Sequence, residues 1–183
     1  MNKRLEGKVS LITGGSRGLG KAMAIAFAKE GAKAVAITYV TNEESARKTC
    51  EEITSYGCTA YMNRVEVTKR ESIKDWLTQI SVAEGQIDVL VNNAGINRAG
   101  PLDTVTEDDW DDIMAVNLKG PFLVSQEVLP MMVSTGGGRI INIASVSGLY
   151  GGTTTAQYAA STAGLVTLTQ VLARWGPEHN IFV

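Results

Sequence analysis

A glycine-rich stretch near the start of the sequence has residue types and spacing suited to holding a phosphate. Its residues are, in order, Thr13, Gly14, Gly15, Ser16, Arg17, Gly18, Leu19 and Gly20. A short apolar run over 9–12 precedes it, and apolar residues at helical spacing follow over 21–29, so the glycines lie where a predicted strand turns into a helix. Free backbone N–H groups and the positive end of a helix dipole meet at such a junction, which favours a bound phosphate.

The glycine spacing leaves two interpretations open. Gly14 can form a tight turn, Gly18 lets a ligand approach the backbone, and Gly20 permits close packing of helix on strand. The order Gly-x-x-x-Gly-x-Gly, however, differs from the Gly-x-Gly-x-x-Gly of the commonest dinucleotide-binding turn. Judged alone, the stretch therefore also fits a flexible connection between a strand and a helix.

The elements that would position this turn alternate between strand and helix along the whole chain. The predicted strands cover 9–12, 34–39, 60–67, 87–91, 139–144 and 180–183, and the predicted helices 21–29, 42–55, 69–83, 107–135 and 156–175. Asn42 is the expected N-cap of the second helix. Strict alternation predicts an α/β fold of the Rossmann type, a doubly wound parallel sheet with helices on both faces. Such sheets bind ligands at the carboxyl ends of their strands.

Length and composition predict one globular domain over 1–183. A net charge of −2 gives no basic surface for nucleic acid and no polybasic patch for a membrane, and the apolar run near the N-terminus is too short for a signal peptide or a span. Cys50, Cys58 and the one histidine, His179, do not form a metal-binding pattern. Two isolated cysteines are typical of a reducing compartment, so we expect a cytoplasmic protein without a metal site.

Four features, taken together and in order, resemble the classical short-chain dehydrogenase/reductase family. They are the pattern Thr13-Gly14-x3-Gly18-x-Gly20, the run Asn92-Asn93-Ala94-Gly95 after the fourth predicted strand, Asn117 in the long helical region, and Ser145 thirteen residues before Tyr158. Within the family, the sequence is most similar to the 3-oxoacyl-[acyl-carrier-protein] reductases. The segments that carry this similarity cover 92–96, 116–120 and 139–145.

The resemblance implies transfer of a hydride between a nicotinamide and a carbonyl or hydroxyl group. Reduction of a carbonyl needs an acid for the developing alkoxide and donors that polarise the carbonyl. By resemblance, Tyr158 is the acid, Ser145 the carbonyl donor and Asn117 the residue that holds a water in a proton relay. Taken singly, a tyrosine near a helix start and a serine after a strand are more often packing and capping residues.

The resemblance also implies the residues that contact the cofactor. They are Gly14, Ser16, Arg17, Gly18, Leu19, Gly20, Tyr39, Glu66, Val67, Asn93, Ala94, Gly95 and Tyr158. NADP is the favoured cofactor, and NAD remains an alternative. A carboxylate at the end of the second strand would repel a 2′-phosphate, but the first one there is Glu43, and Arg17 can pair with the 2′-phosphate. Glu66 stands where the family usually has an aspartate near the adenine, and Asn93 is expected to brace the sheet beside the cofactor.

Two departures from the family pattern bear on activity. The pattern Tyr-x-x-x-Lys has Thr162 in place of the lysine, and a threonine can neither favour a phenolate nor reach the ribose as a lysine would. The sequence also ends at Val183, within the sixth predicted strand. The resemblance implies a mobile substrate-covering segment beyond that point, so we expect this segment to be missing here.

Three readings of the function follow. The first is an NADP-dependent reductase acting on an acyl thioester or another small molecule, with acyl carrier protein as a candidate partner. The second is a dinucleotide-binding or subunit-interaction protein that has lost the chemistry, and the third is a sugar or alcohol dehydrogenase of the same family. Family analogy predicts a homo-oligomer in which the helices around Asn117 and Tyr158 pack across an interface, although their apolar residues also fit an ordinary core.

Overall fold

The computed structural model describes residues 3–183, and its centre is a six-stranded parallel sheet. The strands are β1 (Val9–Ile12), β2 (Ala34–Tyr39), β3 (Thr59–Arg64), β4 (Val89–Asn92), β5 (Gly138–Asn142) and β6 (Ile181–Phe182). Their spatial order is β3-β2-β1-β4-β5-β6. The winding therefore reverses between β1 and β4, and the carboxyl ends of these two strands border the crevice in which such sheets bind ligands.

Within residues 3–183, seven α-helices connect and cover the strands. They are α1 (Gly18–Lys29), α2 (Glu43–Thr54), α3 (Arg70–Glu84), α4 (Glu107–Met114), α5 (Gly120–Ser134), α6 (Ser147–Tyr150) and α7 (Ala156–Trp175). A π-helical turn (Ala115–Lys119) joins α4 to α5, and short 3₁₀ turns lie at Leu102–Thr104 and Gly176–His179. No helix in residues 3–183 has the length and apolar character needed to cross a bilayer. The predicted doubly wound α/β fold is confirmed.

Both faces of the sheet are apolar, because the central strands are almost continuously apolar and successive residues of a strand point to opposite sides. One face packs against α3 and α5, and the other against α1 and α2. The first core includes Leu11, Leu90, Ile140, Trp76, Leu77, Val128 and Met132. The second includes Ile12, Val35, Ile37, Val91, Ala24, Ala28 and Ile53. Packing on both faces fixes the positions of the strands, and with them their carboxyl ends.

Several predicted boundaries were wrong, and two of the differences affect the crevice. Helix α1 begins at Gly18 rather than at 21, so part of the glycine stretch is helical. Strand β3 ends at Arg64 rather than at 67. There the Val65 N–H still donates to Tyr39 O (3.0 Å), but the Glu66 N–H turns away and donates to Ser72 Oγ (3.1 Å). Glu66 and Val67 therefore lie in the loop above the sheet.

Helices α2 and α3 differ from their predicted bounds by one residue at each end. Larger errors concern the second half of the chain. Strand β4 starts at Val89, after Asp88 has accepted a hydrogen bond from the Val9 N–H through Oδ2 (2.9 Å). Strand β5 ends at Asn142 rather than at 144. The helical region predicted over 107–135 is divided by the π-helical turn, and α6 was not predicted.

One face of the sheet is left open at β5 and β6. Ile141 pairs in register with the buried Val91, yet 42% of its surface is exposed. Phe182 pairs with Arg139, is 46% exposed and lies under the Arg139 guanidinium at 4.1 Å from the ring centroid. The cover that α1 and α2 provide therefore ends at β4.

Neighbouring isoleucines of β5 provide a matched test of this asymmetry. Ile140 is 2% exposed, whereas Ile141 is 42% exposed. Ile140→Ala should lower the free energy of unfolding by about 2–4 kcal/mol, and Ile141→Ala by less than about 1 kcal/mol. Urea denaturation followed by circular dichroism measures both values. Equal losses would mean that the face around Ile141 is covered in solution.

Candidate functional site

The glycine stretch forms a tight turn that hydrogen bonds fix against β2. The Gly14 N–H donates to Thr38 Oγ1 (3.0 Å), and the Gly15 N–H donates to Thr38 O (3.0 Å). Gly14 has a φ of +68°, in the region that favours glycine. A Cβ at Gly20 would lie 2.4 Å from Gly14 O. The turn can therefore close onto the start of α1 only with glycine at position 20.

The start of α1 has backbone N–H groups without helical partners and no acidic side chain in its first turn. The first bond of the helix runs from the Lys21 N–H to Arg17 O (3.1 Å), so the N–H groups of Gly18, Leu19 and Gly20 precede the helical hydrogen-bond pattern. Arg17 is the N-cap residue, its side chain does not cap the helix, and the first turn has no acidic residue. These donors and the helix dipole favour an anion at this point.

Asn93 joins the turn to the loop after β4. Its N–H donates to Thr13 Oγ1 (3.0 Å), and its Nδ2 donates to Thr13 O (3.0 Å) and Gly14 O (3.1 Å). The Ala94 N–H donates to the same Thr13 hydroxyl (3.0 Å). Four hydrogen bonds thus hold the two sides of the crevice at a fixed separation, and the Asn93 amide braces the glycine turn itself.

A cavity of about 660 Å³ lies between the turn and this loop. Ten of the residues expected to contact a cofactor line it: Gly14, Ser16, Arg17, Gly18, Tyr39, Glu66, Val67, Asn93, Ala94 and Gly95. Leu19 and Gly20 are not in its wall: Leu19 is 68% exposed, and Gly20 packs against Gly14 O of the turn. Further lining residues that the sequence analysis missed are Thr38, Val40, Thr41, Asn42, Val65, Thr68, Ile96 and Val116.

The part of the cavity at the ends of β2 and β3 carries mixed charge. Partial burial raises the pKa of the Tyr39 phenol, and the nearby Glu43 carboxylate adds to the rise. Glu66 forms an ion pair with Lys69 (2.7 Å), and this hydrogen-bonded partner lowers the pKa of the Glu66 carboxyl. Glu66 is therefore an ionised carboxylate already held by a cation.

Asn117 lies in the π-helical turn and is 4% exposed. Its Oδ1 accepts from the Ile96 N–H (2.9 Å), and its Nδ2 donates to Ile96 O (2.8 Å) and to Ser161 Oγ (3.3 Å). Both amide hydrogens are used within the protein, so the side chain ties the loop after β4 to α7. Ser161, completely buried, was missed by the sequence analysis, although its position three residues after Tyr158 places it on the same side of a helix.

Ser145 and Tyr158 lie on neighbouring elements. Ser145 Oγ accepts from the Ser147 N–H (3.2 Å) at the start of α6, and a Cβ at Gly148 of α6 would be 2.7 Å from Ala163 N of α7. The half-buried Tyr158 is in the first turn of α7. Among residues 3–183 no hydrogen bond joins the two hydroxyls, and neither residue lines the 660 Å³ cavity.

Thr162 is 3% exposed and is bonded within its own helix. Its Oγ1 donates to Tyr158 O (2.9 Å) and lies 3.1 Å from Ala159 O. The position four residues after Tyr158 therefore supplies no cation to the phenol. In the part of the chain that the structure describes, no group of three or more His, Cys, Asp or Glu side chains is arranged to hold a metal ion.

Comparison with known proteins identifies the family. The family model described as short chain dehydrogenase matches residues 8–183. The 3-oxoacyl-[acyl-carrier-protein] reductase FabG of Thermotoga maritima is 42% identical over 98% of this chain and 72% of the relative. The protein of the same name from Staphylococcus epidermidis is 38% identical over 96% of this chain and 72% of the relative.

Solved structures give the same result. A putative short-chain alcohol dehydrogenase from Sinorhizobium meliloti superposes with a TM-score of 0.93 at 35% identity, over 99% of this chain and 71% of the other. An NAD⁺-bound xylitol dehydrogenase superposes with a TM-score of 0.94 at 31% identity, over 98% and 68%. The chain therefore belongs to the short-chain dehydrogenase/reductase family, whose members are oxidoreductases that use nicotinamide cofactors.

Proposed function

We propose that this protein is an NADP-dependent reductase of 3-oxoacyl thioesters, with acyl carrier protein as the carrier of the acyl group. The observation that carries the proposal is the cavity between the glycine turn and the 93–95 loop, which has Gly18 at the start of α1 on one wall and Asn93, which braces the turn, on the other. Its 660 Å³ is within the range of small-molecule sites. The relatives named 3-oxoacyl-[acyl-carrier-protein] reductase, at 38–42% identity, support the substrate class.

The residues of the cavity fit a dinucleotide. The N–H groups at the start of α1 would bind the pyrophosphate, because they are free of helical partners and no carboxylate opposes an anion there. The Val67 and Glu66 loop would border the adenine, and Gly95 the nicotinamide side. The nicotinamide supplies the hydride when the cofactor is bound.

The protein's own groups would then act on the substrate oxygen. We assign Tyr158 as the proton donor and Ser145 as the donor that polarises the carbonyl. Asn117 would contribute by position, since its amide is fully used in joining Ile96 to Ser161. Its side chain therefore keeps α7, and with it Tyr158, at a fixed distance from the loop that lines the cavity.

A second candidate function is nucleotide binding without efficient catalysis, and Thr162 favours it. The family lysine would stand at this buried position, where the threonine hydroxyl instead donates to Tyr158 O. The phenol therefore lacks the nearby positive charge that would stabilise a phenolate. A polyol or alcohol substrate is the third reading, supported by the likeness to xylitol dehydrogenase.

We also propose a homo-oligomer in a reducing, cytoplasmic setting. An apolar groove of about 510 Å³ between α4, α5 and α7 is lined by Met114, Leu118, Phe122 and Leu168, together with the charged Asp111 and Lys119. Opposite charges in one groove suit a second copy related by a two-fold axis, which would pair each with the other. The free thiols of Cys50 and Cys58 support the compartment.

Cofactor preference gives the first test. Arg17→Ala should weaken binding of NADPH about tenfold, the effect of one lost charge-assisted contact, and binding of NADH less than about twofold. Isothermal titration calorimetry measures both dissociation constants. Arg174→Ala, which removes an exposed arginine at the far end of α7, should leave both unchanged. Equal loss of the two nucleotides in Arg17→Ala would contradict the assignment.

Turnover of an acetoacetyl thioester with NADPH, followed by nicotinamide absorbance, tests the reaction itself. We expect slow turnover by the natural protein and a rise of roughly 10²- to 10⁴-fold in Thr162→Lys, because a lysine one helical turn from Tyr158 stabilises the developing phenolate.

Thr162→Met is the control for this substitution, since it fills similar space without charge and should give no increase. Equal, measurable rates in the natural protein and Thr162→Lys would contradict the effect assigned to the missing lysine. Binding of NADPH without turnover by either protein would favour the second candidate function.

A further inference from the structure

Arg64 is the last residue of β3, the strand at one edge of the sheet. It precedes Val65, Glu66 and Val67, which line the 660 Å³ cavity, and is not itself in the wall. It pairs in register with Tyr39, the last residue of β2, and Tyr39 lines the cavity. Neighbouring residues of parallel strands in register project to the same face of the sheet. Arg64 and Tyr39 are therefore neighbours on the same face of the sheet.

Strand alternation fixes which face this is. Met62, two residues before Arg64, packs with Tyr39 against the core beneath α1 and α2. Met62 is half-buried, whereas Arg64, beyond the cover of that core, is exposed. Arg64 thus lies on the face of the sheet that α1 and α2 cover, at the carboxyl end of β3, where it is exposed.

Arg64 forms no ion pair within the described residues. Nearby ion pairs join Lys69 to Glu66 (2.7 Å) and Arg47 to Glu44, and in the described residues none involves Arg64. Burial and Glu43 raise the pKa of Tyr39, and the charge of Arg64 opposes that rise. Lys69 lowers the pKa of Glu66, and Arg64 adds to the effect. Arg64 therefore acts on two groups of the cavity wall.

We propose that Arg64 is a specificity-determining residue that pairs with the 2′-phosphate of NADP from the β3 side, opposite Arg17 of the glycine turn. The inference rests on the proposed function and extends it, since neither the sequence pattern nor the family resemblance singled out Arg64. A dinucleotide in this fold places its adenosine ribose at the end of β2. A 2′-phosphate there carries close to two negative charges at neutral pH.

The charge balance at this edge explains why one arginine is not sufficient. With Glu66 held by Lys69, the remaining carboxylate near Tyr39 is Glu43. Arg17 alone would only offset Glu43, whereas Arg17 and Arg64 together make the edge positive. Two guanidinium groups, one from the glycine turn and one from the end of β3, can also form bidentate contacts that a single lysine could not.

The test measures the dissociation constants of NADPH, NADH and 2′,5′-ADP for the natural protein, Arg64→Gln, Arg64→Lys and Lys48→Gln. Arg64→Gln should weaken NADPH and 2′,5′-ADP about tenfold and NADH less than twofold. Arg64→Lys should keep part of the affinity, because the charge remains. Lys48→Gln removes one positive charge from exposed α2 surface and should change nothing. Thermal unfolding of each variant confirms that it is folded.

Each contrary result is distinct. A loss shared equally by NADPH and NADH, or no loss in Arg64→Gln, would overturn the role of Arg64 and leave nucleotide binding intact. A preference of the natural protein for NADH would overturn both this role and the proposed NADP preference. Failure of every nucleotide to bind the natural protein would overturn the proposed function as well.

Discussion

The arrangement of the site depends on the hydrogen bonds between the ends of β1 and β4. Thr13 and Asn93 exchange contacts so that the glycine turn and the 93–95 loop form one unit. Thr13 is 2% exposed, whereas Asn93 and Ala94 are half-buried. A buried donor or acceptor left unpaired would cost about 1–3 kcal/mol. The Asn93 amide also requires that Gly20 has no side chain, since a Cβ there would be 2.6 Å from Nδ2. A fixed crevice therefore follows from the packing of the polypeptide itself.

A second set of hydrogen bonds positions the catalytic candidates relative to this crevice. Asn117, in the π-helical turn, bonds to the backbone of Ile96, which lines the cavity. Its Nδ2 donates to Ser161 Oγ, and this hydroxyl donates in turn to Tyr158 O. Gln157 adds a further contact, from Nε2 to Arg98 O (2.8 Å). The start of α7 is thus positioned by contacts with the loop after β4. Thr162 lies in this positioned helix but lacks the positive charge of the lysine in the family pattern.

The sequence predicted the elements whose signal is local. Strands β1 and β2 and helix α7 were predicted with the bounds that the structure has, because buried parallel strands are continuously apolar and α7 has an uninterrupted helical pattern. Asn42 was predicted as the cap of α2 and accepts from the Ser45 N–H (2.8 Å). The α/β fold follows from such elements, since alternation allows few topologies.

Features fixed by tertiary contacts could not be predicted in this way. The π-helical turn has an ordinary helical sequence, and the contact that accompanies it is between Asn117 and a backbone twenty-one residues away. Helix α6 is too short for periodicity, and Gly148 is explained only by its contact with α7. Arg64 was overlooked for the same reason, because its neighbour Tyr39 is distant in the chain and close only through strand register.

Amide chemical shifts during titration with NADPH test the central claim, that the junction of β1 and α1 binds the pyrophosphate. On ¹⁵N-labelled protein, the account predicts the largest changes at the amides of residues 16–20 and 93–95, with β6 unaffected. Changes confined to the groove between α4, α5 and α7, or no changes at saturating nucleotide, would contradict it.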